Sequence, residues 1–156
     1  MMPDPEAPRA TVLFVCKSNR GKSQMADALL RAVAGDGAVE VHSAGTQPAL
    51  GKGPNSESVA SLAEIGVDMA GGVATPVDDD VMRRADVVVV LGTAARLEPV
   101  DGMRAPIEVW ETVEPSEQGI EGPERMALIR DDIAARVREL WARLSAEPGG
   151  RAQYPV

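Results

Sequence analysis

The sequence predicts an α/β fold, an open parallel sheet flanked by helices on both faces. Three observations carry that reading. Residues 12–15 and 87–91 are short, unbroken apolar runs rich in valine, the pattern of strands buried on both faces. Stretches with helical spacing alternate with such strands along the chain. The order strand, helix, strand, helix, helix, strand, strand, helix is that of an open sheet with crossover helices.

Residues 1–10 hold three prolines and little apolar content and read as a loose tail. After the first strand comes a polar, glycine-containing turn over 16–23. Met25, Leu29 and Val33 then recur every fourth residue, a helical stripe ending near Gly35 and Gly37. Val39 and Val41 alternate with Glu40 and His42, which suits a half-exposed edge strand. Residues 43–55, rich in glycine and proline, read as a long loop. Val59, Leu62 and Ile65 mark a short helix with Gly66 as its stop. Residues 78–84 read as a helical turn with acidic residues at its N-terminal end, where the helix dipole favours them. Residues 107–109 are a weaker strand. Met126, Ile129, Ile133, Val137, Leu140 and Leu144 form one long helical stripe. Residues 145–156, with two prolines and two adjacent glycines, read as a second tail, leaving 11–144 as a single domain.

Composition narrows the function. The 156 residues carry 24 acidic and 16 basic side chains, a net charge of −8, whereas a phosphate-backbone binder is usually basic. With two Trp, one Tyr and one Phe there is no aromatic platform for base stacking. No apolar run approaches the ~20 residues of a membrane helix, and the start lacks a signal-peptide pattern, so the expected location is cytoplasmic. One cysteine and one histidine exclude an internal disulfide and a Cys/His zinc cluster, and no metal is expected.

In an open parallel sheet, ligands sit beyond the carboxyl ends of the strands. The segment there after the first strand is Cys16-Lys17-Ser18-Asn19-Arg20-Gly21-Lys22-Ser23. Where a strand turns into a helix, unpaired amides and the positive helix end make an oxyanion site. Lys17, Arg20 and Lys22 add three positive charges to an acidic chain, for binding or for steering an anion as exposed loop charges. Orphan amides, cations and a helix N-terminus all favour thiolate over thiol, so Cys16 reads as a nucleophile rather than as a small buried hydrophobe. Ser23 is placed to hydrogen-bond it, and Asn19 tolerates the left-handed backbone of a tight cradle. His42 is either a base or, more simply, a structural strand-end histidine. A second reading takes Gly21-Lys22-Ser23 as the end of a nucleotide-binding P-loop. Cys16 replaces its first glycine, and residues 87–91 are followed by glycine, not by a magnesium-holding aspartate.

The segments VLFVCKSNRGKSQMADALL, VHSAGTQP and PNSESVASLAEIGVDM resemble the low-molecular-weight tyrosine phosphatase superfamily, in particular its arsenate reductase branch. The loop ending in Gly-Lys-Ser is similar to that of single-cysteine reductases that use mycothiol. The resemblance covers residues 11–144 and implies a four-stranded parallel sheet. It implies arsenate as substrate, Cys16 as nucleophile, residues 17–23 as the oxyanion cradle and no tightly bound cofactor. It further implies mycothiol as thiol co-substrate, a glutaredoxin-like mycoredoxin as partner, and a monomer or weak dimer.

Three departures from the family pattern stand out. Lys22 occupies the place of the usual arginine and offers a point charge instead of a bidentate fork. Glu114-Pro115 occupies the place of the usual Asp-Pro pair, making Glu114 the expected acid and Glu111 a weaker candidate. Leu91 and Glu98 stand where thioredoxin-coupled relatives carry resolving cysteines, so the second thiol must come from outside, into a pocket expected to be narrow. The alternatives are a tyrosine or small-molecule phosphatase, or a nucleotide or anion binder without turnover.

Overall fold

The computed structural model describes residues 9–35 and 37–146. Both expected tails fall almost wholly outside them. Strands β1 (Thr11–Cys16), β2 (Glu40–Gly45), β3 (Val87–Leu91) and β4 (Ile107–Trp110) form one sheet in the order β2-β1-β3-β4, with every pairing parallel. Helices α1 (Lys22–Ala34), α2 (Ser56–Ala63), α3 (Asp79–Arg84) and α4 (Gly122–Ala146) connect and cover it. None of these helices is long and apolar enough to cross a membrane.

The alternation of strand side chains sorts the core into two layers. Val12, Phe14, Val87, Val89 and Leu91 face α1, α2 and α4, where Met25, Leu30, Leu62, Ile129, Ile133 and Leu140 close over them. Leu13, Val15, Val88 and Val90 face the other way, against Val81 and Met82 of α3 and the segment containing Leu97, Val100 and Met103. Both faces are therefore covered, one by three helices and the other by a short helix and loop. Arg130 of α4, nearly buried, donates to the Ser61 carbonyl and pairs with Glu64, which pins α2 to α4.

Several boundaries differ from the sequence reading. Strand β2 continues through residues 43–45, because Phe14, Val15 and Cys16 offer a free edge beside them, in register with Ser43, Ala44 and Gly45. The pairing overrides the loop-like composition. Helix α2 starts earlier, at an Asn55 cap whose side chain accepts from the Ser58 amide, and ends at Ala63, short of the exposed Ile65. Helix α4 begins four residues before Met126, in a turn without core-facing apolar residues, and runs past Leu144. A 3₁₀ turn over Pro115–Gln118 carries no periodic signal in the sequence.

The strand order reverses between β1 and β3. β1 leads outward to β2, while β3 leads the other way to β4. The crevice at such a switch point lies beyond the carboxyl ends of these two strands. Cys16 ends the first of them and Leu91 the second.

Candidate active site

Cys16 is held from behind by a chain of hydrogen bonds that begins in the backbone of residue 19. Asn19 has φ 58°, the one non-glycine residue with positive φ among the described residues, and its side chain is buried. Its Oδ1 accepts from the Thr75 amide at 2.8 Å, which orients the carboxamide so that Nδ2 donates to Ser23 Oγ at 2.8 Å. With that lone pair occupied, the Ser23 hydroxyl is free to donate to Cys16 Sγ, 3.0 Å away. The Asn19 amide itself donates to Cys16 Sγ at 3.3 Å. Gln24 Nε2 donates to the Asn19 carbonyl at 2.7 Å and ties the turn to the first helical turn. Two hydrogen-bonding groups thus converge on one sulfur and fix its position at the mouth of the cradle.

Gly45, beside Cys16 in the sheet, lets the loop fold back this closely. A Cβ there would stand 2.7 Å from the Lys17 carbonyl oxygen and 3.0 Å from the Asn19 Cβ. The loop's outer side is bonded to the segment after β2. Gln47 and Ala49 donate to the carbonyls of Lys17 and Ser18, and Asn55 to that of Arg20. Gly21 caps α1 without a side-chain hydrogen bond, leaving the first-turn amides to a ligand.

Above the sulfur lies a cavity of about 710 Å³. Cys16, Lys17, Ser18, Gly21 and Lys22 form its floor, and the exits of β3 and β4, including Gly92, Thr93, Glu111, Thr112 and Glu114, form the opposite wall. A space of this size is that of an ordinary small-molecule site. The expectation of a narrow pocket is corrected: the cavity is of ordinary small-molecule size, because β3 and β4 end in loops above the cradle.

The expected cradle residues divide into three groups. Cys16, Lys17, Ser18, Gly21 and Lys22 reach the cavity. Asn19 and Ser23, both fully buried, act on the sulfur from beneath. Arg20 is not brought to the anion site. Its Nε donates to the Gly53 carbonyl at 2.8 Å, and its role is to hold the 46–55 loop.

Glu114 lines the cavity, but its carboxylate is gripped by Arg125 through two bonds of 2.7 and 3.0 Å and accepts from Ser116 Oγ at 2.8 Å. The Arg125 guanidinium, then the Ser116 hydroxyl, hold its carboxyl down at about 2. Both carboxylate oxygens are thus engaged by Arg125 and Ser116, which corrects the expectation of Glu114 as an unencumbered acid. Glu111 lines the same wall, and its carboxylate has no partner among the described residues. His42 does not line this cavity. Its Nε2 lies 2.6 Å from Glu40, a carboxylate held at about 2 by His42 and Arg84. Leu91 is buried at the end of β3 and Glu98 is exposed.

Sequence reasoning missed Thr75, Gln24 and Thr112. Thr75 and Thr112 act on residues 56 and 90 positions away, and no local spacing reveals such contacts.

The profile of the low molecular weight phosphotyrosine protein phosphatase family matches residues 11–149. The chain belongs to that family. An arsenate reductase of Bacillus subtilis is 34% identical to this phosphatase-family chain over 133 residues, covering 82% of this chain and 92% of the relative. A glutaredoxin arsenate reductase of Synechocystis is 29% identical over 135 residues, covering 86% and 98%. Among solved structures, a thioredoxin-dependent arsenate reductase of Corynebacterium glutamicum superimposes with a TM-score of 0.70 at 34% identity. That match covers 88% of this chain and 63% of the other. A tyrosine phosphatase of Erwinia amylovora, 18% identical with a TM-score of 0.72, shares the fold.

Proposed function

We propose that this phosphatase-family chain is an arsenate reductase that works as an arsenate–mycothiol transferase. The observation that carries the proposal is a sulfur held by two donors at the floor of an anion cradle, in a chain with no second cysteine. The curated relatives that are arsenate reductases support arsenate as the oxyanion.

Arsenate sits over Cys16, its oxygens met by the loop amides and the Lys22 ammonium. The Cys16 thiolate attacks arsenic. A sulfur–arsenic bond forms as one arsenic–oxygen bond breaks, and the departing hydroxide takes a proton from the Glu111 carboxyl on the facing wall and leaves as water. A mycothiol thiolate then attacks the same arsenic and displaces Cys16, which leaves as thiolate. Arsenic is still pentavalent at this point. A mycoredoxin thiolate attacks the mycothiol sulfur, the sulfur–arsenic electron pair stays on arsenic, and arsenite departs beside a mixed disulfide. The cavity of about 710 Å³ supports a small thiol entering above the cradle. With no partner thiol in the chain, Cys16 has no internal disulfide to offer thioredoxin.

The test is arsenite release by the whole protein with mycothiol and mycoredoxin, set against thioredoxin and its reductase. Sustained release only in the first mixture is expected. Equal release with thioredoxin alone refutes the transferase mechanism, and phosphate release from p-nitrophenyl phosphate without arsenite in either mixture moves the reading to a phosphatase.

A further inference from the structure

We infer that Thr112 is a positioning residue that holds the Lys22 ammonium across the cavity for the incoming oxyanion. The inference rests on the reading of the cavity as an oxyanion site. Lys22 opens α1, on the floor, yet its Nζ lies 2.7 Å from Thr112 Oγ1, on the opposite wall beyond β4. The side chain therefore spans the site. Gly92, at the exit of β3, stands beside that path. A Cβ there would lie 3.5 Å from Lys22 Nζ, at ordinary contact distance.

An ammonium on a four-carbon stem is a mobile point charge, unlike the rigid arginine fork that the family pattern places at this position. Fixed donors stabilise a developing oxyanion because they need no reorganisation at the moment of reaction. A lysine serves in this way only if something outside its own chain fixes its end. Thr112 is the one partner of Lys22 Nζ among the described residues. That partner is neutral. Among the described residues no carboxylate pairs with Lys22, so its charge is not cancelled there, and two of its three N–H groups remain for the anion. The contrast within the same wall is Glu114, whose carboxylate is paired with Arg125. The Thr112 hydroxyl accepts from Lys22, and its own O–H has no acceptor among the described residues.

The test follows protection of Cys16 from iodoacetamide by arsenate, with no thiol or redox partner present. Wild-type protein should be protected in a saturable way. Thr112→Val, which removes the hydroxyl and keeps the shape, should raise the arsenate concentration needed by about tenfold, the scale of one hydrogen bond to a charged group. Thr112→Ser should restore protection. In a Lys22→Ala background, Thr112→Val should change nothing further. Thr112→Ala, checked by its melting temperature, stands in if the valine variant folds poorly. Unchanged or tighter protection in the valine variant overturns the inference. So does an undiminished effect in the Lys22→Ala background. Absence of protection in the wild type instead overturns the oxyanion reading beneath it.

Discussion

The floor and the wall of the Cys16 cavity are built on different principles. The floor is a local structure. Cys16, Asn19, Ser23 and Gln24 lie within nine residues and bond one another, with Thr75 and Gly45 as the two outside supports. The wall is assembled from two strand exits, and its side chains meet partners outside it. Lys22 meets Thr112, and Arg125 meets Glu114. The comparison separates making a nucleophile, which the floor does alone, from receiving an oxyanion and its co-substrate, which needs both sides.

Ways to break that division run from large effects to small. Gly45→Ala should be the most damaging change that leaves the floor's own side chains untouched. Its methyl would meet the Lys17 carbonyl and Asn19, which are backbone-fixed. Iodoacetamide labelling at neutral pH should lose its selectivity for the folded protein, and activity should vanish. Unchanged labelling would show that the cradle does not depend on this close approach. Lys22→Ala should lower turnover by about 10²–10³, the usual cost of one preorganised donor, while leaving the labelling rate of unliganded Cys16 much closer to wild type. A large fall in both would show that floor and wall are not separable. Lys22→Arg should raise p-nitrophenyl phosphate hydrolysis, because a fork restores bidentate contact.

Smaller effects concern the carboxylates. Glu111→Gln should slow arsenate turnover more than Glu114→Gln, and the reverse ranking would return the acid to Glu114. Glu40 and Glu114 have carboxyls lowered from 4.5 to about 2, the first by hydrogen bonds from His42 and Arg84, the second by those from Arg125 and Ser116. Folding therefore takes up no proton on them above 4.5, and their stabilisation is complete there. It is lost as pH falls from 4.5 towards 2. Chemical denaturation at several pH values should show this decline, and the paired variant Glu40→Gln/Glu114→Gln should flatten it.

The same division explains how much was legible in the sequence. The sheet and its buried strands were readable because residues 12–15 and 87–91 are apolar without interruption. The nucleophile was readable because a strand, a polar glycine turn and a helix follow one another directly. Arg20 misled because a cation in an anion loop has the same sequence signature whether it faces the cavity or the Gly53 carbonyl. Glu114 misled because its carboxylate is engaged by Arg125, 11 residues on, at the start of a helix whose first turn has no apolar stripe. Residues 43–45 read as loop because strand pairing is a tertiary gain that composition does not express.

In the proposed mechanism Cys16 works without a second thiol of its own chain and passes arsenic to a small one. The most direct measurement is mass spectrometry of a reaction containing the protein, arsenate and mycothiol, with mycoredoxin left out. An arsenic–mycothiol adduct should accumulate over many turnovers while the protein returns to its unmodified mass. A protein that stays arsenated or thiolated at Cys16, with no free adduct formed, would contradict the account.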